Sequence, residues 1–305
     1  MSTSSDRPPT IAPAAAARWQ ACAPAASPWL HEEVGRRMAD RLQWIKRDPQ
    51  AWADWEPVRG GLRSHALVRK RYPQARVHVV EPQPERMAMA RDQLSPPWWR
   101  HLPAPLGQGR GGGTEFGPVP SGSAQMLWAN MQLHMAADPQ VLLRQWHEAL
   151  AVDGFLMFSC LGPDTLRELR GAYAAMGWPP PAHEFTDMHD WGDMLVQGGF
   201  AEPVMDMERI RLSFDTPARL LEELRELGAN LHPARFSGLR GRGWPRRLEA
   251  ALDQHMRGAD GKLGLTFEVI YGHALKPLPR ARVGERSAVS LDDMRTMLHA
   301  DRGRA

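Results

Sequence analysis

The densest group of chemically able side chains in this 305-residue chain is FSCLGPDTLRELR, residues 158–170. Ser159 and Cys160 end an apolar run, Leu161 to Asp164 turn the chain, and Asp164 or Thr165 is placed to cap a helix. Arg167 and Arg170 fall three apart on the first turns of that helix, where a guanidinium suits a bidentate grip on a carboxylate. Cys160 has no histidine and acid at an orienting spacing, so it reads as a packing thiol rather than a nucleophile.

Four more places carry candidates. Glu81 closes the strand-like run ARVHVVE, where a carboxylate can accept both hydroxyls of a ribose diol or simply face solvent. In LWANMQLHM, Asn130 offers an amide to a cofactor or to the backbone, and His134 either lines a substrate site or caps the loop; no carboxylate stands at a spacing that would orient it as a base. FTDMHD brings Asp187, His189 and Asp190 together, which fits either a metal or a helix cap, and without a second ligand cluster no metal site is expected. Arg240, Arg242, Arg246 and Arg247 form the densest basic patch, a face for an acidic or phosphate-bearing partner or a solvated loop. Aromatic and basic residues do not interleave there as a nucleic-acid stacking platform requires.

Alternating strand and helix patterns must position these groups. Apolar runs at 75–81, 125–129 and 154–159 are separated by amphipathic stretches, which predicts a doubly wound α/β fold whose mostly parallel sheet has helices on both faces. Ligands then belong beyond the carboxyl ends of the strands. A flexible Ser/Pro/Ala-rich arm over 1–28 is expected, then one domain over 29–277 with a helical elaboration around 215–258. A polar tail over 278–305 follows, with a short helix capped by Ser290. Late strands are expected near 200–212 and, at an edge or late position, 263–276; residues 96–123 read as loop. GQGRGGG, 107–113, has no strand before it and no helix after it, so it does not read as a phosphate cradle. Gly60 and Gly61 precede a helix, but Arg59 and AWADWEPV stand before them and AWADWEPV lacks a strand-like apolar run.

Composition narrows the class. Hydrophobic residues make up 43% of the chain, which indicates a globular protein. The 38 basic and 35 acidic side chains leave a formal charge of +3, too little to argue for a polyanion on charge alone. No apolar run approaches the roughly 18 residues of a membrane span, and no basic start leads into a secretory core. Two cysteines in unrelated contexts point to a reducing compartment, hence the cytoplasm.

PWLHEEVGRRMADRL at 28–42, LWANMQLHMAADPQVLLRQWHEAL at 127–150, FSCLGPDTLRELR, FTDMHDWGDMLVQGGFAEPV at 185–204 and GLTFEVIYGHALKP at 264–277 together resemble the class I S-adenosylmethionine methyltransferases. Within that class they resemble the BioC-like malonyl-acyl carrier protein O-methyltransferases of biotin synthesis. The resemblance implies a seven-stranded sheet, S-adenosyl-L-methionine as cofactor, and methylation of the free malonyl carboxyl on acyl carrier protein. It implies cofactor contacts at Gly60, Gly61 and Glu81, with Asn130 a further candidate there, a carboxylate grip by Arg167 or Arg170, with His134 a further candidate at the acceptor, and carrier docking on Arg240, Arg242, Arg246 and Arg247. A fold-retaining paralogue that acts through binding is the second reading, because one glycine pair replaces the family's longer glycine-rich loop; a protein-modifying methyltransferase is the third.

Overall fold

The computed structural model describes residues 11–95 and 112–279. The first residues of the arm, most of GQGRGGG and the segment expected to form a helix capped by Ser290 lie outside the described residues.

Side-chain alternation builds the sheet. In β4 (Ala124–Ala129), Met126 and Trp128 enter one core layer while Leu127 and Ala129 enter the other. In β5 (Leu150–Leu161), Phe155 and Met157 alternate with Leu156 and Phe158 in the same way. These two strands pair in parallel with each other, and β4 pairs in parallel with β1 (Ala51–Trp55). Beyond β1 come β2 (Arg76–Val80) and the short β3 (Thr114–Phe116), also parallel. β7 (Leu263–Leu275) lies antiparallel between β5 and β6 (Ala201–Phe214), so the seven strands run β3-β2-β1-β4-β5-β7-β6.

Helices cover both faces. α2 (Trp29–Arg41), α4 (Leu62–Arg71), α5 (Pro84–Leu94) and α7 (Arg167–Ala175) supply residues to one layer, joined by α9 (Pro217–Leu227) and α10 (Trp244–Met256). α6 (Pro139–Ala149) and α8 (Met188–Gln197) supply the other. Asp187 is the N-cap of α8, accepting from the N–H groups of His189 at 2.7 Å and Asp190 at 3.0 Å. No group of three or more metal-binding side chains occurs among the described residues.

Four expectations are corrected. AWADW is the central strand β1: pairing on both edges, Trp52 with Val77 and with Met126, and complete burial of Trp52 and Ala53 outweigh its weak strand propensity. Within 1–28, residues Pro13–Cys22 form α1, since a proline start followed by an alanine run favours helix; Ala15 and Ala16 pack on Leu231. β3 interrupts the loop read over 96–123 by adding to the edge of β2. The helix after FSCLG starts only at Arg167: Thr165 Oγ1 accepts the Glu268 N–H at 3.1 Å, and Leu166 takes a left-handed φ of 58°. That thread to β7 holds Asp164 and Thr165 out of the helix.

Candidate active site

The carboxyl ends of β1, β2 and β4 bring Glu56, Glu81 and Asn130 to one edge of the sheet, which is where this topology places ligands. Asp54, inside β1, meets His65 Nδ1 at 2.7 Å, and burial raises its carboxyl above the ordinary range. Sequence reasoning missed Asp54 because the strand that carries it was not read as one.

Glu56 follows β1 in a left-handed conformation, φ 55° and ψ 53°, which costs a non-glycine residue about 1 kcal/mol or more. It is buried, and desolvation raises its carboxyl despite Arg86 and Arg59 nearby. α3 (Pro57–Gly60) comes next and carries Arg59. Glu81 Oε1 accepts the Val58 N–H at 2.8 Å; Oε2 is sealed from solvent without a hydrogen bond, 3.5 Å from Arg86 Nε, which is also unpaired. Burial pushes the Glu81 carboxyl up to about 8.

Arg59 fills the centre of this edge. Its guanidinium donates to the main-chain carbonyls of Ala26 at 2.8 Å and Glu226 at 3.0 Å, with longer bonds to Pro24 and Leu227. Burial, then the neighbouring Arg86, pulls its pKa down to about 10. Arg86 holds α1 by donating to the carbonyl and side-chain oxygens of Gln20 at 3.1 and 2.9 Å. Between these groups, Trp19, His31, Met131 and Gln132, only about 20 Å³ remains.

Gly60, Gly61 and Asn130 are absorbed by the same packing. Asn130 Nδ2 donates to the carbonyls of Gly60 and His31, and its Oδ1 accepts from Ser159 Oγ at 2.6 Å. A Cβ on Gly60 would stand 3.1 Å from the Asn130 carbonyl oxygen; one on Gly61, at φ 132°, would meet Ser64 Oγ at 2.8 Å and a Glu32 oxygen at 3.0 Å. Both glycines therefore face protein here, at positions expected to contact the cofactor, and Asn130, expected beside them, clamps them.

The second half of the site is open. A cavity of about 280 Å³ lies between α7, α9 and the loop before α8, with Leu166, Tyr173, Phe185, Leu224 and Phe267 among its walls and His134, His183 and Arg225 as polar members. His134 is buried with Nδ1 unpaired, and desolvation holds its pKa far below the ordinary imidazole value, so the ring is neutral. His183 donates from Nε2 to the His134 carbonyl at 2.9 Å, and burial lowers its pKa to about 4. Arg170 stands behind the cavity, donating to the carbonyls of His183 at 2.8 Å and Thr165 at 3.2 Å with its guanidinium over Phe185. Arg167 does not join it. That side chain, expected at the acceptor, is exposed and pairs with Asp164 and Glu168 on the helix surface. Cys160 is fully buried, and burial raises its thiol pKa out of the reactive range. His183 was absent from the sequence reading; its signal was a lone histidine between Ala182 and Glu184, visible only once the loop folds over the cavity.

Arg242, Arg246 and Arg247 are exposed, while Arg240 is sandwiched between Phe236 at 3.8 Å and Trp244 at 3.7 Å.

A doubly wound sheet of this order, with its penultimate position taken by an antiparallel seventh strand, defines the class I methyltransferase fold. No family model matches the chain. The malonyl-acyl-carrier protein O-methyltransferase of Laribacter hongkongensis is 41% identical over 255 residues, covering 83% of this chain and 84% of that protein. Its counterparts in Gallionella capsiferriformans and Legionella pneumophila are 39% and 31% identical, over 84% and 82% of this chain and 87% and 85% of theirs. Among solved structures, the YcgJ protein of Bacillus subtilis superposes with a TM-score of 0.49 at 11% identity, over 80% of this chain and 99% of that one. The chain belongs to the malonyl-acyl-carrier protein O-methyltransferase family.

The residues of the first sheet edge do not fit S-adenosyl-L-methionine in this arrangement. Glu81 keeps one carboxyl oxygen without a hydrogen bond, but Arg59, Arg86 and Gln20 fill the space beside it, and the two glycines face protein. Among the described residues, no helix is long and apolar enough to cross a membrane.

Proposed function

We propose that this protein methylates the free carboxyl group of malonyl-acyl carrier protein, with S-adenosyl-L-methionine as the methyl donor. The observation that carries this reading is the family membership, over more than four-fifths of the chain. The cavity beside His134 supports it, because it lies at the same sheet edge and leaves room for an acyl thioester.

The chemistry asks little proton transfer of the protein. A carboxylate is already a nucleophile, so the protein's task is to orient it, neutralise it and strip its water. Arg225 lines the cavity and Arg170 stands behind it, where burial of the Arg170 guanidinium beside Phe185 strengthens its attraction for an anion. His134 and His183 are neutral, which suits a reaction without a general base and leaves them to contact uncharged parts of the acceptor. Arg242, Arg246 and Arg247 offer exposed positive charge for an acidic carrier protein.

The filled edge around Arg59 favours a second reading, a paralogue that binds the acyl carrier without methylating it. One pair of measurements separates the two. Calorimetric titration with S-adenosyl-L-methionine, in the presence of malonyl-acyl carrier protein, should give saturable heat, and mass spectrometry should then find the methyl ester. Carrier binding without cofactor heat or ester would select the second reading.

A further inference from the structure

We propose that α1 is a displaceable cover over the donor site and that Arg59 is the positioning residue that latches it to the wall of the acceptor cavity. Which ligand the cover excludes rests on the methyltransferase reading above; the latch itself rests on the geometry of one side chain.

The guanidinium of Arg59 bridges the chain leaving α1 and the last turn of α9. Nη1 bonds the chain leaving α1, at the carbonyls of Ala26 and Pro24, and Nη2 bonds the last turn of α9, at Glu226 and Leu227. A planar fork with fixed donor directions suits this two-sided task, whereas a point charge satisfies only one side at a time. α9 is also a wall of the acceptor cavity, through Leu221, Leu224 and Leu227. The cover of one half-site and the wall of the other therefore share one cation.

The attachments of α1 are of a kind that can be released. Its only fully buried side chains are the small Ala15 and Ala16, packed on Leu231 in a cluster separate from both main core layers. Among the described residues, Ile11, Ala12 and Trp19 add only partly buried packing, and hydrogen bonds that water can replace join them: Ala12 N–H to the Leu231 carbonyl at 2.8 Å, and Arg86 to Gln20 at 2.9 and 3.1 Å. Trp19 lies under the Arg59 guanidinium, 5.5 Å from ring to cation, and leaves when the latch does. With the cover down, the 20 Å³ beneath it admits about one water and no nucleoside. A donor must then bind the open form, and its apparent affinity falls by the fraction of molecules that are open.

Hydrogen-exchange mass spectrometry on the full chain, with and without S-adenosyl-L-methionine, tests the latch directly. The cofactor should raise exchange in residues 13–26 and 225–231 together. Arg59→Gly should raise exchange in both segments without ligand and tighten cofactor binding, measured by calorimetry, by about tenfold or more. Arg59→Lys, which keeps the charge but not the fork, serves as the second variant if the glycine variant folds poorly, and should also bind more tightly than the wild type. Cofactor binding to the wild type with unchanged exchange in these segments overturns the proposal, and so does a folded variant that binds no more tightly than the wild type. Failure of the methyltransferase reading looks different: the wild type takes up no cofactor and makes no methyl ester even with the acyl carrier present, while the unlatched variant still gains cofactor affinity.

Discussion

Glu81 Oε1 accepts the main-chain N–H of Val58 at 2.8 Å, so the end of β2 is fastened to the turn that follows β1 by a carboxyl group buried without a full set of partners. Burial raises that carboxyl to about 8, so it stays protonated in the folded chain at neutral pH and ionises at about 4.5 once the chain unfolds. The folded state therefore binds the extra proton between these values, and the stability this group contributes is lost as pH rises towards 8. His31 and His183 act in the opposite sense. Burial lowers them to about 3 and about 4, so stability is lost as pH falls below 6.5, where the unfolded imidazoles take up protons. Urea unfolding should show greatest stability near pH 6.5 with a fall towards pH 8, and Glu81→Gln should flatten the alkaline limb. An unchanged limb in that variant would remove Glu81 as its source.

Glu56 carries two penalties at once, a left-handed backbone and a buried carboxyl raised by desolvation. Glu56→Gly relieves both, and should stabilise the chain by about 1 kcal/mol in spite of the flexibility that glycine adds to the unfolded state. Thermal unfolding measures this; a lower midpoint would mean that the contacts of Glu56 with Arg86 and Arg59 outweigh its strain.

The two halves of this site were unequally legible. Glu81 stood out because a β-branched, apolar run ended on it, and the arginines of FSCLGPDTLRELR were conspicuous because a turn and a helix pattern framed them. The strand Ala51–Trp55 was hidden, since alanines, tryptophans and an aspartate give no strand-like period and its identity comes from pairing on both sides. Losing it hid Asp54 and Glu56 as well. Which of Arg167 and Arg170 turns inward was equally out of reach: the choice follows from Leu166 leaving helical geometry, which depends on the tether between Thr165 and β7.

That choice is measurable. Arg170→Ala removes the two bonds to the carbonyls of His183 and Thr165 and the cation beside Phe185, so KM for malonyl-acyl carrier protein should rise roughly tenfold or more. Arg167 is exposed and, among the described residues, paired with Asp164 and Glu168, and Arg167→Ala should leave KM within about twofold. Equal effects in steady-state kinetics would count against the inward role of Arg170.

Asn130 joins three elements, with Nδ2 on the carbonyls of His31 and Gly60 and Oδ1 on the Ser159 hydroxyl. Asn130→Ala strands those buried groups together, and should lower stability by about 2–4 kcal/mol in chemical denaturation. A loss under about 1 kcal/mol would show that water takes over the clamp.

Docking of the carrier should be read in rates. Arg242, Arg246 and Arg247 project from the start of α10 and the loop before it, while Arg240 is held between two aromatic rings and contributes packing as well as charge. Replacing the three exposed arginines with glutamate should slow association with acyl carrier protein by about tenfold at low salt and flatten its dependence on ionic strength, because steering acts before contact and is screened over about 10 Å at 0.1 M. Dissociation should change less, since rim charges seldom hold a formed complex. Stopped-flow mixing across a salt series separates the two rates; an unchanged association rate would move the carrier to another face of the molecule.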